Sequence, residues 1–165
     1  VSPLRVESVR ELRSAELAAV GVDGRIEFRI QRVLRSPNTY LGMHWREKNR
    51  ERKAWMASLS NAVVAAVGIS RAQQLLGPES GIPNCTGGCT VRRRVEVTRF
   101  APTRRNFVRD DDNLRFAVKP VLDALKHLGL IRDDHRKWIE LALPTQELST
   151  DGTFWTWIAV GSPEV

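Results

Sequence analysis

The sequence predicts an α/β fold of the α+β kind, a single compact domain whose mixed β-sheet packs against two main helices in the chain order β-α-β-α-β-β. Three observations lead there. Residues 25–33 and 91–100 alternate apolar and polar side chains at strand period. Residues 46–69 and 113–128 carry apolar residues at helical spacing. Two short aromatic and aliphatic runs, 137–143 and 153–160, close the chain.

Taken in order, residues 1–24 read as a peripheral extension with a short helix in SVRELRSAELAAVGVDG, ended by the Asp23-Gly24 turn. The domain proper is expected over 25–165. In RIEFRIQRV, Ile26, Phe28 and Ile30 point one way and Glu27, Arg29 and Gln31 the other, which predicts a half-buried strand. Ser36-Pro37-Asn38 interrupts it. The 46–69 helix has a charged first half and an apolar second half. Residues 70–90, rich in Gly and Pro, read as a loop. Val91, Val95 and Val97 set the inward face of the next strand. In the 113–128 helix, Leu114, Val118, Val121, Leu122, Leu125 and Leu128 form the apolar stripe, with Asp112 as N-cap and Gly129 just past the end. Pro120 predicts a kink there or a regular helix that starts there.

The chain has 165 residues, 42% of them hydrophobic, so one domain with a real core is expected rather than disorder. Net charge is +7 and the pI about 10.2. The basic residues are mostly arginine, which suits bidentate phosphate contacts. No apolar run approaches the ~20 residues of a membrane span, and the N-terminus lacks a signal-peptide core. The expectation is a cytoplasmic protein with no membrane partner. Two cysteines make no disulfide framework, and Cys85 and Cys89 supply only half of a zinc site.

Against this basic background, carboxylates gather at both ends of the 113–128 helix: Asp110-Asp111-Asp112 before it and Asp133-Asp134 after it. Their mutual repulsion is relieved by a divalent cation, and a hard ion such as Mg²⁺ prefers carboxylate oxygens. In an extended segment Asp110 and Asp112 would face one ion together. The helix spans ~24 Å, so Asp134 reaches them only if the chain turns back along it. Each acid alone reads equally as a helix cap or a solvated turn. An EF-hand is disfavoured, because positions six and twelve from Asp110 are Arg115 and Val121 where Gly and Glu are needed.

In the order RDDDN, KPVLDAL, LIRDD, the segment 109–134 resembles the RusA-like Holliday junction resolvases, and SPNTYLGMHWR resembles the family's loop before its first helix more loosely. The resemblance implies a small, homodimeric, Mg²⁺-dependent endonuclease of bacteria or phages, with Mn²⁺ a possible substitute, acting on branched DNA such as a four-way junction in recombination and repair. It implies Asp110, Asp112 and Asp134 as metal-binding catalytic carboxylates, Asp133 as support to the metal, Lys119 as catalytic lysine, and Asn113 as shaping the helix start. Between Asn113 and Lys119 the chain has three residues more than the family pattern. Arg115 is therefore an alternative phosphate contact.

Arg99, Arg104, Arg105, Arg109 and Arg115 are the expected DNA contacts, with Asn38 and His44 lining the cleft. Arg92, Arg94 and the basic stretch 46–53 are further candidates, whereas Trp138, Trp155 and Trp157 read as core or dimer interface. Two other classes stay open: a branched-DNA-binding protein that does not cut, and a basic interaction protein whose acids are caps and turns.

Overall fold

Strand β3 (Arg93–Ala101) is hydrogen-bonded on both edges over almost its whole length, and the rest of the sheet is arranged around it. The computed structural model describes residues 16–21, 24–36, 38–39, 42–76 and 92–163. Along the chain come β1 (Glu16–Val20), β2 (Ile26–Ile30), α1 (Trp45–Val67), α2 (Ile69–Leu75), β3, a 3₁₀ turn (Arg104–Asn106), α3 (Asp111–Ala117), α4 (Lys119–His127), β4 (Ile139–Leu141), β5 (Thr145–Leu148) and β6 (Trp155–Gly161). The sheet order is β1-β2-β6-β3-β4, with β5 also on β3. Neighbours are antiparallel except β3–β4 and β3–β5, so the chain is one mixed α/β domain with a mixed sheet.

The helices cover one face. Ile26, Phe28 and Ile30 of β2, Val95 and Val97 of β3, and Ile158 and Val160 of β6 are buried in one cluster with Trp55, Leu59 and Val63 of α1 and Val121, Leu122 and Leu125 of α4. The register explains this: Phe28, Ile158 and Val97 lie opposite one another across three strands, as do Ile26, Val160 and Val95. All six residues expected in the helical stripe of 113–128 are buried. Among the described residues no helix is long and apolar enough to cross a membrane.

Several expectations are corrected. Residues 16–20 form a strand, not a helix, because β1 completes an antiparallel ladder with β2 that outweighs the local helix preference of Glu-Leu-Ala-Ala. The sheet therefore begins before residue 25; the rest of the expected extension, residues 1–15, lies outside the described residues. Part of the expected 70–90 loop is α2, set off from α1 by Gly68 at φ 84°. Val91, Cys85 and Cys89 lie outside the described residues. β5 has no counterpart among the expected strands. The helix expected over 113–128 is two helices that meet at Val118, and Pro120 sits in the first turn of the second, where its missing N–H leaves no orphan.

Strand β2 is buried on both faces rather than one. Glu27 is 2% exposed and Arg29 5%. Lone charges there would cost several kcal/mol, so both are paired. Arg29 binds Asp151 at 3.1 Å and lies 4.3 Å above the Trp155 ring, which stacks on Phe100 at 3.7 Å. Trp155 and Trp157 are thus core, as expected. Glu27 and Glu96 flank Ala159 across the strands, and that small residue lets Arg25 reach both, at 3.0 and 3.1 Å. Arg94 then links Glu96 to Glu140.

Burial alone would raise the Glu96 carboxyl, but hydrogen bonds from Arg94 and Arg25 outweigh it and hold Glu96 below the usual range. That stabilisation is complete above the ordinary Glu value of about 4.3 and disappears as pH falls through the lower folded value. Glu96→Gln should therefore cost about 1 kcal/mol at pH 7. In urea unfolding the gap to the parent should close once Glu96 is protonated in acid; a gap that persists there would assign the loss to packing.

Candidate active site

The α3–α4 junction is built by two local rules. Asp110 caps α3, its Oδ1 accepting from the Asp112 N–H at 2.9 Å, and the Leu114 N–H donates to the Asp110 carbonyl at 3.0 Å. Asp110, not Asp112, is thus the N-cap. Asp111 and Asp112 lie in the first helical turn. The extended-chain argument that aligned Asp110 with Asp112 fails, since the backbone is already helical at Asp111. Three and four residues on, Arg115 and Phe116 are exposed like Asp112, while Leu114 and Ala117 face the core.

At the far end, Gly129 takes φ 76°. The Leu130 N–H reaches the Leu125 carbonyl and the Gly129 N–H the Lys126 carbonyl, both at 3.0 Å, which is a Schellman turn. This is where the sequence places a C′ glycine. The chain then runs back along α4. Asp133 meets Lys126 at 3.0 Å, and Asp134 meets Lys119, one residue beyond the α3–α4 break. The chain thus turns back along α4 and brings Asp134 to Lys119.

Lys119 is shared: its Nζ contacts Asp134 Oδ2 and, at 2.9 Å, Asp123 Oδ1 one turn along α4. Burial on its own would lower the ammonium, but the hydrogen bonds to Asp134 and Asp123 outweigh it and hold Lys119 above the usual lysine value. It is cationic throughout the neutral range. Asp133 is held below the usual carboxylate range, first by Lys126 and then by the Asp134 backbone N–H. Asp133 thus fixes the turn that presents Asp134.

As donors, Asp110, Asp112 and Asp134 suit a hard divalent cation. Among the described residues, however, no three His, Cys, Asp or Glu side chains are gathered closely enough to hold a metal. In this arrangement Asp134 is engaged by Lys119.

Beside the junction lies a cleft of about 560 Å³ whose walls include Asn38, Arg99, Phe107, Arg109, Asn113 and Phe154. It brings together four residues singled out from the sequence: Asn38, Arg99, Arg109 and Asn113. Arg99 does a different job from the one expected. It is 6% exposed and donates to the carbonyls of Leu34 and Asn106 and to Gln146 Oε1. Burial lowers its guanidinium from the usual arginine value, but arginine stays charged. Gln146 grips Val108 in turn: Oε1 accepts from its N–H and Nε2 donates to its carbonyl, both at 2.8 Å. Arg99 and Gln146 thus set the backbone that leads into Asp110. Gln146 escaped the sequence reading because β5 did.

His44 does not line the cleft; its Nδ1 caps α1 by accepting from the Arg46 N–H at 3.3 Å. Arg104 and Arg105 are exposed on the 3₁₀ turn. Trp45, which the sequence reading passed over, is 64% exposed beside Lys48, Asn49, Arg52 and Asp123, with Arg46 5.5 Å from its ring. Phe116, on the exposed side of α3, is 66% exposed. Single exposed aromatics carry no sequence signal that separates them from core residues.

Gln146→Ala should destabilise the fold by about 1 kcal/mol, because it removes the part-buried hydrogen bonds to Val108 and Arg99. It should also speed amide hydrogen exchange at Val108 while leaving Glu96 and Val97 protected. Unchanged exchange at Val108 would mean that the clamp is not what holds this segment. Set beside known proteins, the chain matches no family model and no curated protein sequence.

Proposed function

We propose that the protein is a metal-dependent endonuclease that selects branched DNA, in the manner of the RusA-like resolvases its 109–134 segment resembles. The observation that carries this reading is the contact between Asp134 and Lys119. These residues are fifteen apart in sequence, and the reversal at Gly129 joins them beside the helix that Asp110 and Asp112 open.

Asp110, Asp112 and Asp134 would hold Mg²⁺ or Mn²⁺, with Asp133 steadying Asp134 from behind. When bound, the ion supplies a Lewis acid at the phosphate and an acidified water. The chain's own groups do the rest. Lys119 places positive charge where the phosphorane oxygens develop negative charge. Asp123 keeps that ammonium on the Asp134 side of α4. Arg109, at the cleft wall, and Arg104 and Arg105, on the exposed turn, would hold the backbone of the polymer. A four-way junction needs two cuts related by a two-fold axis, so the active form would be a homodimer with two such sites.

A second reading, a protein that binds branched DNA without cutting it, is favoured by one observation: Lys119 already neutralises Asp134 and no three-ligand group is gathered.

The test is an end-labelled four-way junction incubated with the protein in Mg²⁺, in Mn²⁺ and in chelator, beside linear duplex and a flap. Paired, metal-dependent nicks in the junction are expected. Asp112→Asn should slow them about a hundredfold or more. Lys119→Met should slow them comparably while costing less than about 1 kcal/mol of stability, because its ion pairs are half-exposed. Tight junction binding with no nick in either metal would select the second reading. Equal affinity for junction and duplex, with no cutting, would reject both.

A further inference from the structure

The electrostatics beside Asp134 point to a second site. A groove of about 340 Å³ is lined by Arg92, Arg115, Arg136, Asp134 and Glu140. The three arginines come from three places: the residue before β3, the exposed side of α3, and the loop before β4. All three are exposed, and none has a hydrogen-bond, ion-pair or ring partner among the described residues. Of the two acids in the groove, Asp134 contacts Lys119 and Glu140 contacts Arg94 at 2.5 Å, and neither is paired with one of the three arginines. Three guanidinium groups therefore line one groove with no direct partner among the described residues. An anion brought from outside would pair with them. Guanidinium forks in a concave site are the chemistry that recognises phosphate. The groove has room for roughly ten waters, ample for one phosphodiester.

We infer that this groove is a phosphate subsite that grips a polynucleotide backbone one phosphate away from the group held at Asp134. The placement next to a reacting phosphate rests on the nuclease reading; the grip on the backbone does not. Two of the three arginines, Arg92 and Arg136, stand outside the 109–134 stretch proposed for the chemistry apart from its Asp134 edge, so the groove extends the contact surface beyond that stretch.

The experiment is fluorescence anisotropy of the full chain with labelled junction and labelled duplex, in Ca²⁺, over a series of salt concentrations. The parent is compared with Arg115→Ala/Arg136→Ala and with Arg92→Ala, each checked for an unchanged thermal melt. The double variant should bind both DNAs about tenfold more weakly. Its plot of log affinity against log salt should be shallower by about one, as one lost phosphate contact requires. Arg115→Lys/Arg136→Lys, which keeps charge but not the fork, should recover the slope and only part of the affinity. Inorganic pyrophosphate should compete with DNA for the parent protein but not for the double variant.

A folded double variant with unchanged slope and affinity overturns the subsite, as does a parent that binds no DNA. Arginine-dependent binding of pyrophosphate alone would make it a site for free phosphate compounds and overturn the backbone assignment. Failure of the nuclease reading looks different. In that case the parent cuts nothing, yet its binding still depends on the arginines. Cutting that survives with arginine-independent binding overturns the subsite alone.

Discussion

Because β3 is hydrogen-bonded along both edges, every other strand must fit its register, and the candidate site inherits that register. β6 pairs with it antiparallel from Arg94 to Phe100, which sets Val95 and Val97 beside Val160 and Ile158 under the helices. On the opposite edge β4 takes the first part of the strand and β5 the last. The chain steps between them at Ala142, whose N–H bonds the Val95 carbonyl at 2.9 Å. The end of β3 then delivers Arg99 to the segment before Asp110, and β5 delivers Gln146 to the same place. Two strands thereby position a loop, and the loop positions the carboxylates. Sites mounted on regular elements in this way keep their geometry better than sites mounted on loops alone.

The helix pair α3–α4 solves a different problem. A continuous helix would hold the carboxylates at its two ends ~24 Å apart. The reversal after Gly129 runs the chain back along α4, so that the acid after the helix meets Lys119 near its middle. Leu130 and Ile131, both fully buried, anchor the returning segment, which leaves Asp133 and Asp134 on the surface side. The hydrophobic anchor supplies the stability and the half-exposed ion pairs set direction, since such pairs are worth little in water.

Charge is distributed in two distinct ways. On the sheet face away from the helices, Arg25, Glu27, Glu96, Arg94 and Glu140 form a continuous alternating network of ion pairs. Around Asp134, Arg92, Arg115 and Arg136 line a groove without a direct partner among the described residues. The first pattern is what a fold needs in order to bury charge. The second leaves three guanidinium forks available to a partner.

Periodicity in the sequence was enough to determine the mixed α/β class, the long helix after residue 45, the strand centred on Val95 and Val97, the core stripe from Leu114 to Leu128, and the glycine turn at 129. Each of these follows from local spacing that a single packed face must satisfy. The acidic cluster was also legible, because three consecutive aspartates at a helix start stand out in a basic chain. Pairing partners were not legible. β1 and β5 are strands only because an edge of β2 or β3 is there to receive them. Glu27 and Arg29 are buried only because Asp151, Trp155 and Arg25 arrive from elsewhere to meet them. Likewise Arg99 reads as a surface arginine until its neighbours enclose it, and Arg92, Arg115 and Arg136 become one groove only after the sheet closes. Which residues are near each other across long stretches of chain is set by packing and hydrogen bonding between elements, and no local pattern encodes it.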